Sequence, residues 1–270
     1  MRIALGISYD GAPFSGWQSQ PSGATVQDRL EQALAQIAGE PVRIRGAGRT
    51  DTGVHALGQV AHFEAGASRP LQAWVRGTNA HLPEAIAVHW AVEVPGDFDA
   101  RFSARSRRYC YLLYNEAVRP SVLANLSGWF HLPLDLDAMR EASNALMGEH
   151  DFSAFRSSQC QAKTPVRTIS EIALRRMGPY VLIDVVADAF LHHMVRNLVG
   201  SLVYVGSGRQ PPGWLSEVLA SRDRASAAPT FSPNGLYLAE IRYDSRWRLP
   251  RFPRIMPFLF PGALDNESPP

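Results

Sequence analysis

The sequence predicts an α+β fold: two ferredoxin-like, split-βαβ (RRM-like) halves joined side by side into an extended, mainly antiparallel sheet with a central cleft. Three observations predict it. Over the first hundred of the 270 residues the apolar period switches between two and about 3.6 in the order β-α-β-β-α-β; the same order returns after Arg105; and no apolar run approaches the roughly 18 residues of a membrane span.

Ile3, Leu5, Ile7 and Tyr9 alternate as a strand, and Val26, Leu30, Ala33, Leu34 and Ile37 follow at helical spacing. A strand is expected around Val42–Arg45, then a loop, then a strand over Gly58–Glu64. Pro70 opens a short helix through Leu71, Trp74 and Val75, and Ile86, Val88, Trp90, Val92 and Val94 alternate as the last strand of this half. The second half is expected to run from a strand at Arg108–Tyr114 to a helix over Asp137–Met147 closed by Gly148. Two strands, Val166–Arg175 and Tyr180–Val186, flank a Met177-Gly178-Pro179 turn. Phe190, Met194, Leu198 and Leu202 mark a helix, Trp214–Leu219 a second, and Leu236–Tyr243 the closing strand. No residue-level repeat accompanies this, so the duplication rests on element order alone. The expected division is 1–104, an α+β domain carrying the loop around Asp51; 105–246, an α+β domain carrying Tyr109 and Arg196; and 247–270, a proline-rich tail expected to lie extended.

A hydrophobic share of 46% and a charged share of 19% describe an ordinary globular chain, read as cytoplasmic because its N-terminus enters a strand without the apolar core of a signal peptide. Cys110 and Cys160 stand fifty residues apart, which suggests neither a disulfide scaffold nor a thiolate metal site. His192-His193 lack the H-E-x-x-H context, and neighbours on a helix point in different directions, so two unconnected roles and no metal are expected. Lys163 is the sole lysine among 27 basic residues. Arginine suits phosphate and stacks on bases, although GC-rich coding produces the same bias. Distribution says more: Arg101, Arg105, Arg107 and Arg108 crowd into eight residues without an acid, beside Tyr109 and Tyr111, the combination expected for RNA-backbone contact plus stacking.

The stretch Gly46-Ala47-Gly48-Arg49-Thr50-Asp51-Thr52-Gly53-Val54-His55-Ala56 reads as a site. Its glycines permit tight turns, and no apolar side chain between Gly46 and Gly53 is expected to bury it in a core. A dinucleotide fingerprint needs glycine where Asp51 stands, and Val54-His55 replaces the Lys-Ser/Thr of a Walker loop. An acid at the centre argues for chemistry, against the plainer reading of a turn capped by Asp51.

Six ordered segments resemble the tRNA pseudouridine synthase A (TruA) family. They are Gly48-Arg49-Thr50-Asp51-Thr52-Gly53-Val54-His55-Ala56, Phe98-Asp99-Ala100-Arg101-Phe102-Ser103-Ala104, Arg108-Tyr109-Cys110-Tyr111, Gly148-Glu149-His150-Asp151-Phe152, Phe190-Leu191-His192-His193-Met194-Val195-Arg196-Asn197-Leu198-Val199-Gly200 and Gly235-Leu236-Tyr237-Leu238. The resemblance implies isomerisation of uridine to pseudouridine at positions 38, 39 and 40 of the tRNA anticodon stem-loop, without cofactor or metal, by a homodimer whose cleft both subunits complete. Position by position it implies that Asp51 is the catalytic aspartate, Arg196 its partner, Tyr109 the ring stacked on the target uracil and Arg49 the residue linked to base flipping. Thr52 stands where alanine is common in the family.

The residue types suit that chemistry on their own terms. Moving C1′ from N1 to C5 of uracil breaks a bond at an anomeric carbon, where a carboxylate can attack covalently or, alternatively, take a ribose proton. A stacked uridine must first be extruded. Two rival readings remain from sequence: a non-catalytic RNA-binding pair of RRM-like sheets, which lacks the RNP1 pattern, and a nucleoside hydrolase using Asp51 with a second acid.

Overall fold

The computed structural model describes residues 1–252. Within them the chain runs β1 (Arg2–Tyr9), α1 (Val26–Ala38), β2 (Arg45–Gly46), β3 (His55–Glu64), α2 (Leu71–His81) and β4 (Ile86–Val94). It continues with β5 (Ala104–Asn115), β6 (Gly128–Phe130), α3 (Leu136–Ser143), β7 (Gly148–Asp151), β8 (Val166–Met177), β9 (Tyr180–Ala187), α4 (Met194–Gly206), α5 (Trp214–Ser221) and β10 (Leu236–Tyr243).

All the described strands join one sheet, ordered β4-β1-β3-β10-β5-β9-β8-β7, with β2 on β3 and β6 on β5. The order β4-β1-β3-β2 is that of a split-βαβ unit, and β10-β5-β9-β8 repeats it: the fourth strand beside the first, then the third, then the second. Duplication inferred from element order is thus visible as strand order. The repeats meet where β3 pairs with β10, a parallel contact of only two register pairs, Tyr237 with His55 and Leu238 with Ala56. The other main ladders are antiparallel.

Side chains alternate across a strand, so β5 divides its residues between two faces. Tyr109, Tyr111 and Leu113 enter the large core, which also takes Leu30 of α1, Trp74 of α2, Met139 of α3, Leu198 of α4 and Leu215 of α5. Cys110 and Leu112 enter a small cluster on the opposite face with Leu182 and Tyr237.

Four elements depart from expectation, each for a local reason. Only Arg45–Gly46 of the expected strand at 42–45 pairs, because the α1 side chain of Glu31 accepts from Ile44 N–H at 3.0 Å and Gln27 donates to its carbonyl at 3.3 Å. The helix expected over 137–147 ends at Ser143, whose hydroxyl donates back to the Arg140 carbonyl; a 3-10 turn follows at Asn144–Leu146. Gly148, at φ 94°, opens β7 rather than closing a helix. α4 begins at Met194, leaving Phe190 outside it. Of the tail expected over 247–270, residues 253–270 lie outside the described residues; at its start Trp247 is buried against Phe98.

Candidate active site

The Asp51 loop leaves the edge of β2 and enters β3, and its backbone is fastened from several sides. Trp17 N–H donates to the Thr50 carbonyl at 3.0 Å, the Tyr9 and Thr50 hydroxyls are 2.8 Å apart, and Gln59 donates to the Gly48 carbonyl at 2.7 Å. Gly16 is required beneath it: φ is 83°, and a Cβ there would stand 2.8 Å from the Thr50 carbonyl oxygen. Gly53, at φ 78°, turns the chain so that Val54 N–H donates to the Asp51 carbonyl. Ala47 and Thr50 are both buried, which corrects the expectation that nothing between Gly46 and Gly53 would bury the segment. The loop is a rigid platform with Asp51 half-exposed at its top.

Arg196, in the first turn of α4, points Nη1 at Asp51 Oδ2, 3.2 Å away, while its Nε donates to the Phe231 carbonyl at 2.8 Å. Phe231 N–H in turn donates to the Arg196 carbonyl. The guanidinium is therefore held by backbone as well as by charge, and it brings a group 145 residues away in sequence onto the loop acid.

His192 and His193 complete the arrangement, against the expectation of unconnected roles. His192 Nε2 lies 3.2 Å from Asp51 Oδ1, and His193 Nε2 lies 3.5 Å from Oδ2. The argument from helical divergence fails because neither residue is inside the helix: His193 is the N-cap of α4 in the left-handed region, φ 64°, and this turn brings the two ring centroids within 4.0 Å. Burial holds the His193 imidazole below its usual range, opposed by Asp51 and aided by the Arg196 guanidinium, so it is neutral at neutral pH. The legible signal was proximity in sequence to Arg196.

Tyr109 lies on the same face of the sheet, packed edge-on to Phe190 at 5.0 Å between centroids. Burial, with Tyr9 and Asp51 adding to it, pushes its phenol up, so the hydroxyl stays protonated. That hydroxyl makes no hydrogen bond among the described residues and points toward the loop, 3.9 Å from where a Cβ on Gly48 would be. Arg49 is exposed and likewise makes no hydrogen bond or ion pair among the described residues.

The four clustered arginines separate. Arg101 is exposed over the Phe102 ring, and Arg105 is exposed but paired with Asp244. Arg107 donates to the carbonyls of Asp188, Arg101 and Ala47, clamping the Asp51 loop to the second half. Arg108 faces the other side of the sheet, buried, with Nε 3.1 Å from Asp184. The four therefore do not form one exposed patch: Arg101 and Arg105 stay at the surface, whereas Arg107 and Arg108 are committed within the fold.

His55, four residues beyond Asp51, fastens the seam between the halves. Nε2 lies 2.9 Å from both the Asn125 and Asn234 carbonyls, which only accept, so it carries the proton. Nδ1 accepts from Gly11 N–H at 3.1 Å, and the ring stacks on Tyr237.

A family model described as tRNA pseudouridine synthase matches residues 6–103 and 142–244, more than half of the chain. Curated relatives named tRNA pseudouridine synthase A include one from Dechloromonas aromatica, 58% identical over 93% of this chain and 95% of its own. Another, from Paraburkholderia phymatum, is 59% identical over 92% and 93%, and one from Methylobacillus flagellatus is 56% identical over 93% and 96%. A looser likeness, TM-score 0.36 at 13% identity over 74% of this chain and 44% of the other, is to a chain of an H/ACA RNP bound to a substrate RNA containing 2'-deoxyuridine; it adds nothing to the assignment. Family likeness of this extent defines an enzyme of RNA modification rather than a binding module. The chain belongs to the tRNA pseudouridine synthase family.

Proposed function

We propose that this protein isomerises uridine to pseudouridine at positions 38, 39 and 40 of the tRNA anticodon stem-loop, in the cytoplasm and as a homodimer, with Asp51 as the catalytic group. The observation that carries the reading is the convergence on one loop carboxylate of Arg196, His192 and His193 from the second half of the chain, beside a buried tyrosine whose hydroxyl has no hydrogen-bond partner among the described residues. A structural ion pair has no need of such a hydroxyl or of a left-handed histidine.

The substrate uridine is stacked in the RNA and is extruded at roughly a few kcal/mol. Arg49, exposed and uncommitted beside Asp51, fills the vacated space, and the Tyr109 ring supports the base. Asp51, paired with the Arg196 guanidinium, acts at the ribose: as nucleophile it displaces N1 from C1′ and is itself displaced when, after the base turns, C5 attacks C1′; as base it takes the C2′ proton as N1 leaves and returns it once C5 has bonded to C1′. Loss of the C5 proton and protonation at N1 complete an isomerisation with no net change of atoms. No redox step or external group is consumed.

Tritium release from tRNA carrying 5-tritiated uridine tests this. The expected result is label released with the strand intact, and its loss in Asp51→Asn at an unchanged melting temperature. Appreciable release by folded Asp51→Asn removes the aspartate from the reaction, and strand or base cleavage favours the hydrolase reading.

A further inference from the structure

We infer that Asp51, His192 and His193 form a site for a zinc ion, whose binding removes Asp51 from the reaction and so inhibits the enzyme reversibly. The ion is an inhibitor and not a cofactor. The inhibition rests on the catalytic role proposed for Asp51; the binding does not.

One carboxylate oxygen and one nitrogen from each ring lie within 4.8 Å of one another. Zinc takes imidazole nitrogen at about 2.0–2.1 Å and carboxylate oxygen at about 2.0–2.2 Å, so two ligands on adjacent corners of a tetrahedron are separated by about 3.4 Å. Each ring nitrogen stands near that edge length from one oxygen of the carboxylate, His192 Nε2 at 3.2 Å from Oδ1 and His193 Nε2 at 3.5 Å from Oδ2, and a small turn of the carboxylate presents a single oxygen to an ion held by both rings. The set of two imidazoles and one carboxylate is a zinc set, and water fills the fourth corner. Both rings are partly exposed, at 34% and 29% of the side chain, so an ion reaches them without unfolding. The turn at His193, which puts adjacent rings on one side, is the feature that makes a chelate of two residues otherwise facing apart.

Arg196 limits the affinity. Its guanidinium shares Oδ2 and is anchored to the Phe231 carbonyl, so it cannot swing clear when a dication arrives. The site is therefore weaker than a structural zinc site, and it answers to free zinc rather than retaining it. Once an ion holds the carboxylate, its lone pairs are no longer available to ribose.

The opposition of Arg196 and zinc supplies the test. Zinc chloride is titrated into the full chain by calorimetry, with cobalt(II) absorption in the visible as an independent reading of the ligand field. The expected result is one equivalent per chain, an intense low-coordinate cobalt spectrum, loss of both in Asp51→Asn and in the double variant His192→Asn/His193→Asn, and tighter binding in Arg196→Ala. Melting temperatures establish that the variants are folded, and Asp51→Asn, altered only at a loop surface, serves if the histidine pair fails to fold. Tritium release by the wild-type enzyme is expected to fall in proportion to zinc occupancy and to recover with EDTA. The site is overturned by absence of saturable binding, by binding that survives in Asp51→Asn, or by weaker binding in Arg196→Ala. Full turnover at saturating zinc overturns the inhibition, whether or not the ion is bound.

Discussion

Tyr109 is the residue whose environment says most about its use. Its ring is fixed by Phe190 and the strand, while its hydroxyl, protonated and without a hydrogen-bond partner among the described residues, faces the Asp51 loop. Removing only that hydroxyl leaves the packing intact. Tyr109→Phe is therefore expected to stay within about 1.5 kcal/mol of wild-type stability and to bind tRNA normally. Any fall in single-turnover rate then measures the hydroxyl itself, whereas Tyr109→Ala opens a cavity worth roughly 3–5 kcal/mol and confounds rate with stability. A Phe variant that loses affinity but keeps its rate would place the hydroxyl on the RNA instead of at the chemistry.

At the scale of elements, β5 separates arginines that look alike in sequence. Arg108 is buried with Asp184, which Arg175 also contacts at 3.0 Å, so Arg108→Met leaves a buried carboxylate with one charged partner fewer. It is expected to destabilise the fold by about 3 kcal/mol in urea unfolding, with no change in the salt dependence of tRNA binding. Arg101→Gln with Arg105→Gln is expected to do the reverse, leaving stability unchanged and reducing the salt slope by about 0.7 per lost contact with single-stranded RNA. An altered salt slope in Arg108→Met, or an unaltered one in the Gln pair, would undo the division of this strand into two faces with two tasks.

Across the whole molecule, Asp51 and the groups that converge on it come from different halves, joined by a short parallel ladder that His55 braces from both ring nitrogens. His55→Ala deletes those bonds and leaves two carbonyls and an amide without that partner. It is expected to lower kcat more than it raises KM, because the seam sets the distance between Asp51 and Arg196. An equal loss in both parameters would assign His55 to stability alone.

The same interior gives the fold a pH dependence. Burial holds the imidazoles of His62, His89 and His193 below their ordinary range, so between their folded values and about 6.5 the unfolded chain binds more protons than the folded one. Stability then rises with pH through that window and is lost as pH falls below about 6.5. Melting temperature is expected to decline from pH 7 to pH 5.5, and His62→Gln to flatten the decline. A flat profile over that range would mean that these rings are hydrated in solution.

Sequence by itself determined what depends on neighbours along the chain. Alternation in Ile3–Tyr9 and Leu236–Tyr243 required strands because period two gives one buried face, and Gly46 to Gly53 required a turn because few other residues tolerate it. The acid at Asp51 and, through family likeness, Arg196 and Tyr109 were singled out from sequence for the same reason: they sit in short, dense motifs. Only the tertiary structure decided which distant groups meet. It joined the repeats through β3 and β10, turned Arg108 away from Tyr109, folded Ala47 and Thr50 inward and set both His192 and His193 on Asp51. Sequence spacing treats adjacent residues as if the backbone between them were regular, and at His193 a left-handed turn broke that regularity. Packing between distant segments chose the turn, and no local periodicity encodes it.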